Sequence, residues 1–168
     1  QRGNRDPVMG RRLMRECGAK LLGDCFVTAV AGQQTLLMHG DLLCSDDTEY
    51  MAFRETVRDP AWQAGLLAKP LAERQAIARE MRTASREQTA GKPGSIMDVN
   101  ADTVADYMTR HTTTQLIHGH THRPGVHEIE LAGQPARRIV LGDWYEQGSV
   151  LECTPAGCEL HSLPVNSA

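Results

Sequence analysis

Leu116-Ile117-His118-Gly119-His120-Thr121-His122 places an apolar run directly before a glycine and two further histidines. Residues i and i+2 of an extended chain project to the same side, so His120 and His122 are predicted to face one site. Gly119 has no Cβ, which lets the backbone bend sharply and approach an ion or a phosphate closely. The pattern predicts a strand that ends in a binding loop, with a surface loop that happens to carry histidines as the alternative.

Two further polar signatures adjoin predicted strand ends or the start of the chain. The apolar run Thr35-Leu36-Leu37-Met38 leads into His39-Gly40-Asp41, and Gly3-Asn4-Arg5-Asp6 lies near the start of the chain. Imidazole nitrogens and amide oxygens together form a borderline-to-hard ligand set. Such a set suits two divalent ions better than one structural zinc, whose closed tetrahedral sites favour Cys and His. The three signatures together therefore favour a metal centre.

Length and composition limit the classes of protein to which these signatures can belong. A chain of 168 residues with 40% hydrophobic content is predicted to form a single domain, residues 1–168. No stretch reaches the length of a spanning helix or a secretory signal, so membrane association is predicted to be peripheral. The net charge of −3 favours no nucleic-acid partner. Five cysteines without a CxxC motif are predicted to be reduced thiols of a cytosolic protein: Cys17, Cys25, Cys44, Cys153 and Cys158.

The order of predicted elements is typical of a mixed α/β protein. Strands are predicted at 25–31 and 35–38 in a hairpin, then at 114–118, 126–131, 136–141, 148–153 and 158–163. Helices are predicted from the capping residues 45–47 to about Arg58, and at about 61–68, 71–86 and 101–111. Residues 46–94 are thus predicted to form a helical insertion cap.

The predicted insertion carries a modest positive charge. Between Arg54 and Lys92 there are eight basic and five acidic residues, a local charge of +3. One interpretation is a solvated helix face with charge pairs four residues apart. The other is a cap that attracts a phosphate-bearing or membrane-surface substrate. Its leucines can likewise form ordinary core or line an apolar chamber, and the sequence leaves both pairs of alternatives open.

The signatures, together with Ile96-Met97-Asp98-Val99-Asn100 and the continuation Arg123-Pro124, resemble the UDP-2,3-diacylglucosamine hydrolases of the calcineurin-like metallophosphoesterase superfamily. The resemblance runs through the whole chain, and arginine at position 5, where the wider superfamily has histidine, favours this lipid A pathway branch. It implies a sandwich of two mixed sheets flanked by helices, two Mn²⁺ ions, and cleavage of the substrate to UMP and 2,3-diacylglucosamine 1-phosphate. It also implies a monomer in peripheral contact with the cytoplasmic face of the bacterial inner membrane.

The resemblance also implies roles for individual residues. Asn4, His39, His120 and His122 match the family's metal ligands. Arg5 and His120 match catalytic positions. The substrate-binding positions are matched by Asn4, Arg5, Asp47, Ser85, Thr89, Lys92 and His120. Asp6, Asp41 and His118 are predicted to brace the loops rather than bind a metal.

The family pattern also includes an N-terminal Asp-x-His and a Gly-Asp that this sequence lacks. The chain, which begins at Gln1, is therefore expected to be a C-terminal portion of the enzyme. Without a bridging carboxylate, two cations are not held close together against their repulsion, so the chain alone is predicted to be inactive. Two alternatives stay open: a phosphoesterase for another nucleoside diphosphate or phosphodiester, and a non-catalytic module that binds lipid or metal.

Overall fold

The computed structural model describes residues 1–94, 96–145 and 147–164, without the side chain of Thr89. Its α-helices are α1 (Arg11–Glu16), α2 (Thr48–Arg58), α3 (Pro60–Leu67), α4 (Leu71–Ala90) and α5 (Ala101–Arg110). Its strands are β1 (Cys25–Val30), β2 (Gln33–Met38), β3 (Gln115–His118), β4 (Gly125–Leu131), β5 (Gln134–Val140), β6 (Gln147–Thr154) and β7 (Gly157–Pro164). The predicted mixed α/β class is confirmed.

A five-stranded mixed sheet has the order β1-β2-β3-β5-β4. Strands β2, β3 and β5 run parallel in its centre, while β1 and β4 pair antiparallel at its two edges. A separate antiparallel sheet consists of β6 and β7. Because α2 to α5 connect β2 to β3, the parallel pairing is made across a long crossover. The calcineurin-like arrangement of two mixed sheets stays a prediction.

The core lies between the central strands and α5. Leu36 of β2 and Leu116 of β3 are fully buried, and Val104 and Met108 of α5 pack against them. The one-turn spacing of Val104 and Met108 places both side chains on the same face of the helix. Asn100 caps this helix, since its side chain accepts a hydrogen bond from the Thr103 N–H at 3.0 Å.

The helices of the predicted insertion bury little apolar surface. Val57 is the one buried residue described in α2, and α3 buries none. Leu67 and Leu71 are 49% and 61% exposed. No helix among the described residues is both long and apolar enough to cross a membrane. The boundaries 46–94 for an insertion cap, and the single domain 1–168, stay predictions.

The prediction that all five cysteines are reduced is wrong for one pair. Cys153 and Cys158 lie opposite each other in the β6–β7 register and form a disulfide. The two strands were predicted, and the two-residue turn between them makes these cysteines cross-strand neighbours. Cys17, Cys25 and Cys44 are free thiols, respectively exposed, partly buried and buried.

Candidate functional site

The candidate site lies at the carboxyl ends of the central parallel strands. β2 ends at Met38 and β3 at His118, so the loops that begin with His39 and Gly119 emerge side by side. The Gly119 N–H donates to the His39 carbonyl oxygen at 2.9 Å, which extends the ladder past the strand ends. Parallel sheets commonly bind ligands at this edge, because successive loops converge there.

Gly40 permits the two loops to approach so closely. Its φ of +112° is a conformation that favours glycine. A Cβ at this position would lie 2.7 Å from His118 Nδ1 and 2.9 Å from the Gly119 carbonyl oxygen. The glycine is therefore required both by its backbone angle and by the close contact between the loops.

Three of the four predicted metal ligands converge in this region. His39 Nε2 lies 3.3 Å from Asn4 Oδ1 and 3.3 Å from His120 Nδ1. The Asn4 N–H also donates to His39 Nε2 at 3.3 Å. Two ligands that share one ion at ordinary metal–nitrogen distances are separated by roughly 3 to 3.5 Å. The donor set and its spacing therefore fit a divalent cation.

Burial favours the neutral form of both imidazoles of this group. Desolvation lowers the pKa of His39, although Asp41 and Asp6 partly oppose the shift. The pKa of His120 is lowered to about 4, first by burial and then by the positive charge that His39 and His122 would carry. A neutral imidazole has the free lone pair that a metal ligand needs.

The fourth predicted ligand, His122, faces a different neighbourhood. Its Nδ1 lies 3.0 Å from Asp143 Oδ2, and its ring lies 6.1 Å from that of Tyr145. Residues 119–122 are not extended: the Thr121 N–H donates to the Gly119 carbonyl at 2.8 Å, and φ is +69° at His120 and +55° at His122. The side-chain alternation of an extended chain therefore does not apply beyond His118. Residues other than glycine that have a positive φ cluster at binding sites.

Asp41 braces the loop that carries His39, as predicted. Its buried carboxylate accepts hydrogen bonds from the Tyr50 hydroxyl at 3.1 Å and from Arg54 Nε at 2.7 Å. Desolvation opposes the charged form, but the bonds from Arg54 and Tyr50 prevail and lower the pKa of Asp41. The Tyr50 ring also packs 5.4 Å from the His120 ring. The sequence reading missed Tyr50 and counted Arg54 only as part of the charge excess.

Two other residues that were predicted to brace the loops also make local hydrogen bonds. Asp6 Oδ1 accepts the Gly3 N–H at 2.5 Å and closes the loop that carries Asn4. His118 Nδ1 bonds to the Gly119 carbonyl oxygen at 2.8 Å, and its Nε2 accepts from Arg138 at 3.1 Å. Burial, reinforced by Arg138, lowers the pKa of His118 to about 4.

The residues predicted to bind substrate occupy two places. Arg5 is exposed and adjoins Asn4 in the chain. Asp47 caps α2 through the Tyr50 N–H and accepts from Lys92 Nζ at 2.5 Å, which links the start of α2 to the loop after α4. Ser85 lies half-buried on α4, and the side chain of Thr89 lies outside the described residues. Their roles stay predictions.

The convergent group lacks a carboxylate ligand. In the described part of the chain, no group of three or more His, Cys, Asp or Glu side chains could hold a metal ion. Two histidines and one asparagine form the group, while Asp41 is engaged by Arg54 and Tyr50.

Comparison with known proteins identifies close relatives. The chain is 47% identical to the UDP-2,3-diacylglucosamine hydrolase of Enterobacter sp. (strain 638) over 162 residues, which is 96% of this chain and 68% of the relative. The proteins of the same name from Salmonella typhi and Cellvibrio japonicus are also 47% identical, over 97% of this chain and 68% of each relative. A search of protein-family models finds no match.

Proposed function

Because this chain belongs to the UDP-2,3-diacylglucosamine hydrolase family, we propose that the His39–His120 centre hydrolyses the pyrophosphate bond of UDP-2,3-diacylglucosamine. The products would be UMP and 2,3-diacylglucosamine 1-phosphate. The observation that carries the proposal is the convergence of donors from Asn4, His39 and His120 at the sheet edge. The proposed fold is the calcineurin-like sandwich, and the proposed cofactor is a pair of Mn²⁺ ions.

Asn4, His39 and His120 would hold a metal ion, and His122 would join them after exchanging its contact with Asp143. Bound divalent ions would lower the pKa of an attacking water and neutralise charge on the phosphoryl oxygens. Gly40, Asp41 and Tyr50 would keep the two histidine loops in register.

Arg5 would bind the substrate's pyrophosphate. Its exposed guanidinium adjoins Asn4, and a planar guanidinium can donate two parallel hydrogen bonds to phosphate oxygens. Asp47 and Lys92 form an ion pair with side chains only 12% and 18% exposed, beside the Tyr50 that packs on His120. Polar groups of the substrate would replace part of the Asp47–Lys92 contact and bind these two side chains. Ser85 and Thr89 of α4 would supply further substrate contacts.

The acyl chains would contact the insertion helices and the cytoplasmic face of the inner membrane. Leu67 and Leu71 are exposed at the junction of α3 and α4. Exposed leucines near basic residues are typical of peripheral contact with a lipid surface. We propose a monomer that reaches its glycolipid substrate in this way.

The absence of a carboxylate ligand in the described centre also supports the proposal that these 168 residues alone do not turn over substrate. The test measures UMP release with Mn²⁺ by the chain alone and by a chimera that adds the part of the Cellvibrio japonicus relative which this chain does not cover. The chimera should be active and the chain inactive. Activity of the chain alone would refute its inactivity, and an inactive but folded and metal-loaded chimera would refute the proposed function.

Arg5→Gln in the active chimera separates binding of the pyrophosphate from metal binding. The variant should bind Mn²⁺ normally, as measured by electron paramagnetic resonance, but release UMP about 100-fold more slowly, the typical loss for one transition-state donor. Arg12→Gln is a matched control, since Arg12 pairs with Glu16 on the exposed side of α1. Equal rates for the two variants would exclude Arg5 from the reaction.

A further inference from the structure

A strongly basic groove lies outside the candidate metal centre. It has a volume of about 870 Å³, within the range of small-molecule sites. Its walls include the side chains of five basic residues and one acidic residue, a local charge of +4 (five minus one) in a chain whose total is −3. The charged residues are Arg2, Arg11, Arg15, Lys20, Arg58 and Asp24. None of the predicted metal ligands lines it.

The end of α1 builds the groove. Gly18 adopts a positive φ of +64°, and the Ala19 N–H donates to the Met14 carbonyl at 2.8 Å, which closes the helix in a Schellman-type turn. The chain then reverses, so residues 19–24 form a second wall beside α1. Leu21 and Leu22 add half-buried apolar surface to this wall.

Two of the cations are committed to the protein. Arg58 donates to the Arg2 carbonyl at 3.0 Å and lies 3.8 Å from Asp24, and Arg2 Nε donates to the Met9 carbonyl at 2.7 Å. These bonds hold the floor of the groove in place. Each guanidinium carries five N–H groups, and these bonds use only some of them. The remaining N–H groups can donate to a ligand.

The other three cations, Arg11, Arg15 and Lys20, have no ion pair or side-chain hydrogen bond within the described residues. Arg11 and Arg15 are four residues apart on one helix, an arrangement that repels and destabilises the helix unless an anion lies between them. The next arginine, Arg12, is instead neutralised by Glu16 at 2.9 Å. Among the arginines of α1, the two without an ion pair, Arg11 and Arg15, are therefore the two that line the groove.

We propose that this groove is a second binding site, specific for phosphate groups. The guanidinium groups of α1 and of the groove floor can each donate paired hydrogen bonds to phosphate oxygens, and Lys20 in the second wall adds a point charge. The phosphate belongs either to the headgroup of an anionic lipid or to a soluble phosphate compound. The site is independent of the proposed hydrolysis, because its walls exclude Asn4, His39 and His120.

The test uses the full 168-residue chain in EDTA, so that a metal centre cannot contribute. Its probes are phosphatidylglycerol vesicles, phosphatidylcholine vesicles and inorganic pyrophosphate, with binding measured by sedimentation or calorimetry. Arg11→Gln/Arg15→Gln should weaken binding about 25-fold, at about fivefold for each basic residue near an anionic surface. Arg12→Gln removes the same charge type from the same helix and should leave binding within about twofold.

If the chain binds phosphatidylglycerol vesicles but not phosphatidylcholine vesicles, and the double variant does not, the ligand is a lipid headgroup. If the chain binds pyrophosphate and the double variant does not, the ligand is a soluble phosphate compound. Lys20→Gln, in the other wall, should weaken the same binding about fivefold. This variant replaces the double variant in the test if the double variant does not fold. Failure of every probe to bind, or equal losses in Arg12→Gln and the groove variants, would overturn the proposal.

Discussion

At the scale of single residues, Gly40 should be among the least replaceable positions. Gly40→Ala should lower the free energy of unfolding by about 2–4 kcal/mol, because the alanine would combine a strained φ with contacts to His118 and the Gly119 backbone. Gly32→Ala is the control, since Gly32 has a φ of +77° but nothing within 4 Å of an added Cβ. It should cost only about 1–2 kcal/mol. Equal losses in denaturant unfolding would show that the contact between the loops contributes nothing.

The residues of the site were predictable to different extents for a physical reason. His39 and His120 follow buried parallel strands, and apolar runs that end in Gly-containing polar signatures are visible in the sequence. The direction of His122 was not predictable from alternation, because two left-handed residues interrupt the extended chain. Tyr50 and Arg54 reach the site only through the tertiary placement of α2, which no local pattern reveals.

At the scale of elements, Arg54 attaches α2 to the sheet. Its side chain is 11% exposed and bonds to Asp41 at 2.7 Å and to Asp24 at 2.6 Å. Arg54→Met should lower the free energy of unfolding by about 3 kcal/mol or more, because it leaves the buried Asp41 charge without its cation.

Lys69→Met is the matched control for Arg54→Met. The Lys69–Glu73 pair is 46% and 56% exposed, so its removal should cost about 0.5 kcal/mol or less. In Arg54→Met, Asp41→Asn should restore part of the lost stability by removing the unpaired charge. Similar losses for Arg54→Met and Lys69→Met in urea unfolding would contradict the anchoring role of Arg54.

The β6–β7 hairpin offers a chemical test of the corrected cysteine assignment. In unfolded, unreduced protein, three thiols should react with Ellman's reagent, and five should react after reduction. Cys153→Ser should leave four reactive thiols without reduction, because it frees Cys158. Its cost in stability should be about 2 kcal/mol at most, since the closed loop is short. Five thiols without reduction would restore the original prediction.

Most elements followed from local patterns, and the exceptions have local causes. Asp47 and Asn100 are visible side-chain caps, and the helices that they begin were predicted. α1 was missed because it has six residues and begins at Gly10 without a side-chain cap. α4 continues to Ala90, four residues past the predicted end at 86, because Glu87 to Ala90 contain no helix breaker and the first Gly is Gly91.

At the scale of the whole molecule, the distribution of buried side chains predicts where local stability is highest. The core cluster joins β2, β3, β5 and α5, and its described buried members include Leu36, Met108 and Leu116. β6 and β7 form a sheet of two strands, and none of their described residues belongs to this cluster. Two-stranded sheets are marginally stable by themselves. The structure therefore divides into a cooperative centre and a hairpin able to open independently.

Native-state hydrogen exchange should resolve this division. Amides of β3 and α5 should exchange only through global unfolding, whereas those of β6 and β7 should exchange roughly tenfold or more faster, by local opening. Adding a reductant should widen the difference, because the Cys153–Cys158 disulfide limits how far the hairpin can open. Protection of β6–β7 equal to that of β3, with and without reductant, would mean that the hairpin unfolds with the core.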